Sequence, residues 1–351
     1  MNDRVAVIIP AYNSSGYIDQ ALASLVAQTQ PADEVVVVDD GSGDDTYDRA
    51  ARWTQHLPLH MVRLEQNAGI AAARSAAIER CSAELILQLD SDDVLLPHHI
   101  AAMTEQYTAA PGLIAPRELL LLEGGPVADL PMIKLDIPDP ELQLPMMLVQ
   151  NYLGIGCLYS RNAYEAVGGY RECGCAEDWD LWARFTVAGI PISVPPVPTY
   201  IYRMHASNIS SNVDWRVVDI EILDRFIGEL RQPENRIIAK LAAFQRAGWK
   251  RLDVLEPAAS GYPARPDDGG PWNSVRTHLD SDLGEVRACE GPDGHSALIV
   301  EHPDRGVLLR MEGTPDHMSV TQIADSTWRW EDRGQQWWLG HTDLDHGDHD
   351  A

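Results

Sequence analysis

Three carboxylates lie within four residues at Asp90-Ser91-Asp92-Asp93, directly after the apolar run Leu85-Ile86-Leu87-Gln88-Leu89. Like charges held that closely repel, and solvating them at the edge of a low-dielectric sheet is costly. A cation among them relieves both costs. Hard oxygen ligands of this kind suit Mg2+ or Mn2+, which keep coordination positions open for phosphate oxygens. Carboxylates also cap helix starts, yet three in four residues exceed what capping needs. The segment reads as a strand delivering a metal to a phosphorylated substrate. Far downstream, Glu177, Asp178 and Asp180 gather where a second helix begins, a position that favours acidic residues for the same dipolar reason.

The elements that must position these groups are legible upstream. Val5 to Ile9 is a continuous apolar, β-branched run, as in a parallel strand buried on both faces. Pro10-Ala11-Tyr12-Asn13 breaks it, and Ser14 or Ser15 can cap a helix through Ile18, Leu22 and Leu25. Glu34 to Val38 repeats the strand pattern, followed by the carboxylate- and glycine-rich turn Asp39 to Asp45 and a helix through Ala50 and Trp53. His60 to Leu64 reads as a third strand, and Asn67-Ala68-Gly69 leads into an alanine-rich helix ending near Arg80. Glu84 to Leu89 is the fourth strand. This β-α-β-α-β-α-β order predicts an open parallel sheet with helices on both faces. Ligands of such sheets bind at the carboxyl ends of the strands, where Tyr12, Asp39, Asp40, Asn67 and Asp90 to Asp93 all fall.

Beyond the fourth strand the pattern loosens. Pro111 to Pro145 is expected to be a loop-rich excursion with one or two strands. Val149 to Ser160 is expected to include a strand whose small residues, Gly154-Ile155-Gly156, either pack plainly or let backbone approach a ligand. A short helix over Arg161 to Val167, a helix carrying Trp179, Leu181, Trp182 and Phe185, and a strand over Thr199 to Met204 follow. The expected domains are residues 1–210, a helical extension 211–256 packed on them, a proline- and glycine-rich linker 257–271, a small β-rich module 272–340, and a disordered acidic tail 341–351. The tryptophans Trp328, Trp330, Trp337 and Trp338 of that module are read as core, ahead of a binding face.

A net charge of −26 argues against a nucleic-acid or anionic-membrane partner, while leaving room for an anionic small substrate at a metal. No apolar run approaches the roughly 20 residues that span a bilayer. The N-terminus lacks a signal-peptide layout, and the five scattered cysteines fit reduced thiols better than a disulfide framework, Cys173-Gly174-Cys175 included. A cytoplasmic protein is expected, and a homo-oligomer is compatible with the sequence.

Six short signatures then stand in order: Val7-Ile8-Ile9-Pro10-Ala11-Tyr12-Asn13, Val38-Asp39-Asp40-Gly41-Ser42, Asn67-Ala68-Gly69 with Ala73-Arg74, Asp90-Ser91-Asp92-Asp93, Glu177-Asp178-Trp179, and Tyr202-Arg203-Met204-His205. Over about residues 4 to 210 the chain resembles the family 2 glycosyltransferases of the GT-A fold. The resemblance implies an α/β, Rossmann-like mixed sheet with helices on both faces, here followed by helices and the β-rich module. It also implies an inverting, Mg2+- or Mn2+-dependent enzyme that takes a nucleoside-diphosphate sugar, a UDP-linked sugar being favoured. The acceptor would be a saccharide, a metabolite or a peptide.

Residue by residue, the resemblance places Pro10, Ala11, Tyr12, Asp40, Asn67, Arg74, Asp90, Ser91 and Asp93 about the nucleotide and donor. It makes Asp92 and His205 metal ligands, with the division of labour between Asp90 and Asp93 open, and Asp178 the general base. Glu177, Trp179 and Trp182 are assigned to the acceptor side, although helix-core packing suits at least one of the tryptophans. Two other readings compete. A sugar-phosphate nucleotidylyltransferase would carry a basic, glycine-rich loop after the first strand, and Pro10 to Gly16 has no Lys or Arg. A non-catalytic sugar-nucleotide-binding module would have no need of a base beside a metal.

Overall fold

The computed structural model describes residues 3–123, 130–132, 137–149, 151–208, 215–247, 274–290, 296–304, 306–314, 317–323, 329–332 and 335–338. Two compact units divide the chain, Met1–Val218 and Asp219–Ala351.

The first unit begins with β1 (Val5–Ala11), α1 (Ile18–Val26), β2 (Glu34–Asp39), α2 (Thr46–Ala51), β3 (Leu59–Arg63), α3 (Ile70–Arg80) and β4 (Leu85–Gln88). These are followed by β5 (Val94–Leu95), α4 (His99–Ala109), β6 (Leu113–Ile114), β7 (Arg117–Leu122) and α5 (Pro140–Met147). The unit closes with β8 (Leu158–Ser160), α6 (Arg161–Ala166), α7 (Glu177–Val187), β9 (Ile192–Ser193) and β10 (Pro198–Met204). The main sheet has seven strands in the order β3-β2-β1-β4-β8-β6-β9. The β3-β2-β1-β4 half is parallel, with Ile8 of β1 set between Val36 and Gln88, and β8 then runs antiparallel to β4. A second sheet, β5-β10-β7, carries β10 antiparallel to β5 and parallel to β7.

Every residue of β1 is buried, as its unbroken apolar run requires of a strand covered on both faces. Helix α1 lays Ile18, Ala21, Leu22 and Leu25 against that strand layer. The parallel order brings Ala11, Asp39 and Leu89 to one edge of the sheet, which is where the site forms. One expectation is corrected here. Among the described residues of 149–160, only Leu158–Ser160 join the sheet; residues 151–157 form a loop, with Leu153 N–H donating to Asn151 Oδ1 at 3.1 Å and Gly156 at φ +84°. A left-handed residue cannot continue a strand, so the extended run starts only after it.

Helix α8 (Trp215–Glu229) lies across the division between the units. The second unit continues with α9 (Pro233–Ala247), a five-stranded antiparallel meander of β11 (Ser274–Asp280), β12 (Gly284–Glu290), β13 (Ser296–His302), β14 (Gly306–Thr314) and β15 (His317–Ile323), and a hairpin of β16 (Arg329–Asp332) and β17 (Gln335–Trp338). Helix α9 is tied to the β11–β12 turn. Buried Lys240 Nζ reaches Asp280 at 2.7 Å and Asp282 at 2.8 Å, and Arg236 grips Asp282 with two hydrogen bonds. Burying a lysine is tolerable only beside such carboxylates, and Arg236 and Lys240 together hold the Asp282 carboxyl down at about 2. The helices expected as an extension of the first domain are therefore grouped with the β strands from Asp219 onward. The expected linker 257–271 and tail 341–351 lie outside the described residues, as does Trp328.

Candidate active site

Asp39 and Asp40 follow one another at the end of β2 and have different tasks. Asp39 is fully buried; its Oδ1 accepts from Ser42 N–H at 3.1 Å and its Oδ2 lies 3.1 Å from Arg63 Nε. It shapes the turn, as aspartates commonly do. Asp40 reaches across to the next strand-to-helix loop, where its two oxygens accept from Ala68 N–H at 2.7 Å and Gly69 N–H at 3.0 Å. Gly69 sits at φ +90° at the start of α3, a conformation that excludes most side chains. Asn67 is exposed on this loop and its Oδ1 also accepts from Gly69 N–H. Pro10 and Ala11 are buried at the end of β1, whereas Tyr12 projects, 49% exposed. Ser91 lies buried behind the aspartates, its Oγ 2.7 Å from Ser14 Oγ.

The Asp90-Ser91-Asp92-Asp93 turn brings one carboxylate oxygen from each aspartate within 4.8 Å of the others. Their partners separate their roles. Asp93 is buried, with Oδ2 accepting from Tyr200 Oη–H and Oδ1 from Arg203 N–H, each at 2.7 Å. Both oxygens are thus occupied in pinning β10 to the turn. Asp92 Oδ2 lies 2.9 Å from His205 Nε2, and that ring is set by Ser207 Oγ 2.8 Å from Nδ1 and by stacking on Tyr17 with ring centroids 4.6 Å apart. Burial raises the carboxyl pKa of Asp92 and, more strongly, of Asp93, and the clustered neighbours push the same way. This is the electrostatic state that a cation relieves. Two open oxygens, on Asp90 and Asp92, and one imidazole nitrogen make a donor set that fits Mg2+ or Mn2+.

Arg74 links this cluster to α7. Its guanidinium is fully buried, donating from Nη2 to Asp90 Oδ1 at 2.7 Å and from Nη1 to Glu177 Oε1. The Tyr170 ring lies 5.9 Å from the guanidinium carbon. This corrects the placement of Arg74 at the nucleotide. Burial and its two carboxylate partners make it a strut between the aspartate cluster and the helix, with no open face. Glu177 is 3% exposed, and burial pushes its carboxyl up to about 7 against the pull of Arg74.

Asp178 follows at the first turn of α7, its Oδ2 accepting from Asn151 Nδ2 at 3.0 Å and its Oδ1 from Trp179 N–H at 2.7 Å. Burial raises its pKa too, with Arg74 opposing. The acceptor assignment of Glu177, Trp179 and Trp182 is also corrected. Trp179 is 2% exposed and donates from Nε1 to Met147 O at 2.7 Å, and Trp182 is wholly enclosed with Tyr159 and Phe185. Neither indole offers a face to a ligand, because α7 is the buried helix of its layer.

The fold therefore gathers Asp90, Asp92, His205, Arg74, Glu177 and Asp178 from four distant segments. Sequence reasoning passed over Tyr17, Asn151, Tyr200 and Arg203, which orient these groups. Tyr200 and Arg203 stand within or just before the Tyr-Arg-x-His signature, and the other two carried no signal of their own.

Residues 6–116 match the family model described as Glycosyl transferase family 2. The amylovoran biosynthesis glycosyltransferase AmsE of Erwinia amylovora is 25% identical over 226 residues, covering 62% of this chain and 82% of that one. Among solved structures, S. aureus TarS 1–349 in complex with UDP-GlcNAc superposes with a TM-score of 0.56 at 22% identity, covering 69% of this chain and 72% of that one. The mannosyltransferase PcManGT from Pyrobaculum calidifontis, in complex with GDP-Man and Mn2+, superposes with a TM-score of 0.53 at 21% identity over 70% of each chain. The fold is that of the GT-A glycosyltransferases. Residues 6–116 thus resemble the family 2 glycosyltransferases, and the relative and the two structural neighbours are themselves glycosyltransferases, which supports a transferase enzyme. Among the described residues no helix is long and apolar enough to cross a membrane.

Proposed function

We propose that this enzyme moves a sugar from a nucleoside-diphosphate donor to a hydroxyl-bearing acceptor with inversion at the anomeric carbon. The observation that carries the reading is the pairing of two features through Arg74: a carboxylate cluster with His205 Nε2 2.9 Å from Asp92, and Asp178 on the helix whose Glu177 shares that arginine. Asp92, His205 and the free oxygen of Asp90 would hold Mg2+ or Mn2+, which when bound supplies positive charge to the departing diphosphate. Asp93 keeps β10 against the turn, so that His205 arrives in place. Asp40 and Gly69 form the wall for the base, beside the projecting Tyr12, and a UDP-linked donor is favoured. Bound UDP-GlcNAc in one structural neighbour and GDP-Man with Mn2+ in another support a nucleotide sugar and a divalent metal.

Inversion requires a base on the face opposite the leaving group. Asp178 has that role: it takes the proton from the acceptor hydroxyl as the oxygen attacks, and its raised pKa brings it nearer to neutrality than an ordinary aspartate. Asn151 holds the carboxylate in orientation. The donor site belongs to residues 1–210, and a saccharide, metabolite or peptide would be the acceptor. The buried Cys81 and Cys157 are free thiols, which supports a reducing, cytoplasmic compartment.

The test is a screen of UDP- and GDP-sugars with and without Mn2+, reading the nucleoside diphosphate released by slow hydrolysis. Metal-dependent release from one donor is expected. No release and no nucleotide binding with any donor would sink the reading.

A further inference from the structure

Glu118 is a buried acid that the proposed reaction does not use. It lies on β7, in register with Tyr200 of β10, whose hydroxyl donates to Asp93. It is 8% exposed, and its Oε1 has no hydrogen-bond partner among the described residues. An unpartnered polar atom at that depth is costly, so its retention calls for a partner that arrives later. The loop opposite is built around it. A Cβ added at Gly154 would stand 1.9 Å from Glu118 Oε1, so the glycine is what leaves room for the carboxyl. Three residues earlier, the same loop offers Asn151 to Asp178.

Glu118 is thus tied through Tyr200 to the aspartate cluster and through the 151–154 loop to Asp178, and the charges of both Asp90 and Asp178 reach it. In an inverting transfer the leaving diphosphate and the base stand on opposite sides of the anomeric carbon, so the group between them is the transferred sugar. We propose that Glu118 is a specificity-determining residue for the donor, its Oε1 hydrogen-bonding one hydroxyl of the transferred sugar. The inference rests on the glycosyltransfer reading above and deepens it. Burial pushes the Glu118 carboxyl up to about 8, so near neutral pH it is largely protonated and can donate as well as accept. That suits a sugar hydroxyl, which does both. The closeness of Gly154 is thereby explained by a side chain, with no need for its backbone to touch the donor.

The experiment is calorimetry with Mn2+ on the full chain, comparing each diphosphate with its own sugar conjugate: UDP with UDP-GlcNAc and UDP-glucose, GDP with GDP-mannose. The readout is the affinity gained from the sugar. Glu118→Met and Gly154→Ala should each leave the diphosphate affinity within about twofold and reduce the gain from the sugar by about tenfold, the worth of one buried hydrogen bond left unmade. Combined, the two should cost little more than either alone, because they act through one contact. Gly154→Ala leaves the carboxyl intact and serves as the second variant if Glu118→Met folds poorly. An unchanged gain from the sugar in both variants, or an equal loss for diphosphate and conjugate, overturns the proposal while leaving the glycosyltransfer reading standing. A wild-type chain that binds none of the diphosphates overturns both.

Discussion

Removing the Arg74 guanidinium tests how the site is held together. In Arg74→Met the apolar stem is kept and the charge is lost. The guanidinium side chain is 1% exposed, Glu177 is 3% exposed and Asp90 is 22% exposed. Breaking a buried pair by deleting one partner costs about 3–5 kcal/mol, because the remaining charge is left without compensation. Here two carboxylates lose their cation at once, although Asp90 can recover some hydration. Each kcal/mol moves the melting temperature of a 150–250-residue unit by about 2–4 °C, so the 218-residue unit should melt roughly 6–20 °C lower.

Thermal unfolding with a chelator present isolates this effect from metal binding. Arg74→Lys should fall between wild type and Arg74→Met, since an ammonium cannot serve both carboxylates through a planar fork. The double variant Arg74→Met with Glu177→Met should regain much of the loss, as apolar replacements of buried pairs often do. A melting temperature for Arg74→Met within about 2 °C of wild type would refute the argument, since the strut would then bear no energy.

Other outcomes follow from the same geometry. Asp92→Asn should weaken Mn2+-dependent nucleotide binding by roughly 10- to 100-fold or more, the scale already known for partners of metal ligands, and calorimetry with and without metal measures it. Asp178→Asn should lower transfer by about 10²- to 10⁴-fold with diphosphate affinity nearly unchanged, and retained turnover would remove Asp178 from the chemistry. Glu177 and Glu118 have folded pKa values of about 7 and about 8, above the ordinary 4.5. The folded state therefore keeps protons that the unfolded chain has released. Their contribution is fully present below about pH 4.5 and is lost as pH rises through about 7 for Glu177 and about 8 for Glu118. Glu118→Gln should flatten the upper part of that decline, which denaturation midpoints from pH 5 to 9 would show.

Much of this was legible in the chain because the relevant signals are local. The apolar runs at Val5 to Ile9, Glu34 to Val38 and Glu84 to Leu89 became β1, β2 and β4 within two residues at each end. A strand buried on both faces permits no polar interruption, so its limits are written in hydrophobicity. Strand ends follow from strands, which is why Asp40, Asn67 and Asp90 to Asp93 were found together. Residues 154–157 were misread as strand because their glycines and apolar residues imitate one. What decides it is a left-handed Gly156 and the bulk of Glu118 across from Gly154, contacts between segments that a local pattern does not encode.

By itself, then, the sequence determined which groups can do chemistry: three clustered aspartates at a strand end, an acidic helix start, and a histidine after Tyr202-Arg203-Met204. Only the tertiary structure decided what each does. Burial took Arg74, Trp179 and Trp182 out of ligand reach, and hydrogen bonds from Tyr200 and Arg203 made Asp93 a brace while His205 was turned toward Asp92. The physical reason is that ligand type is a property of one side chain, whereas availability depends on solvent and partners brought from as far as 113 residues away.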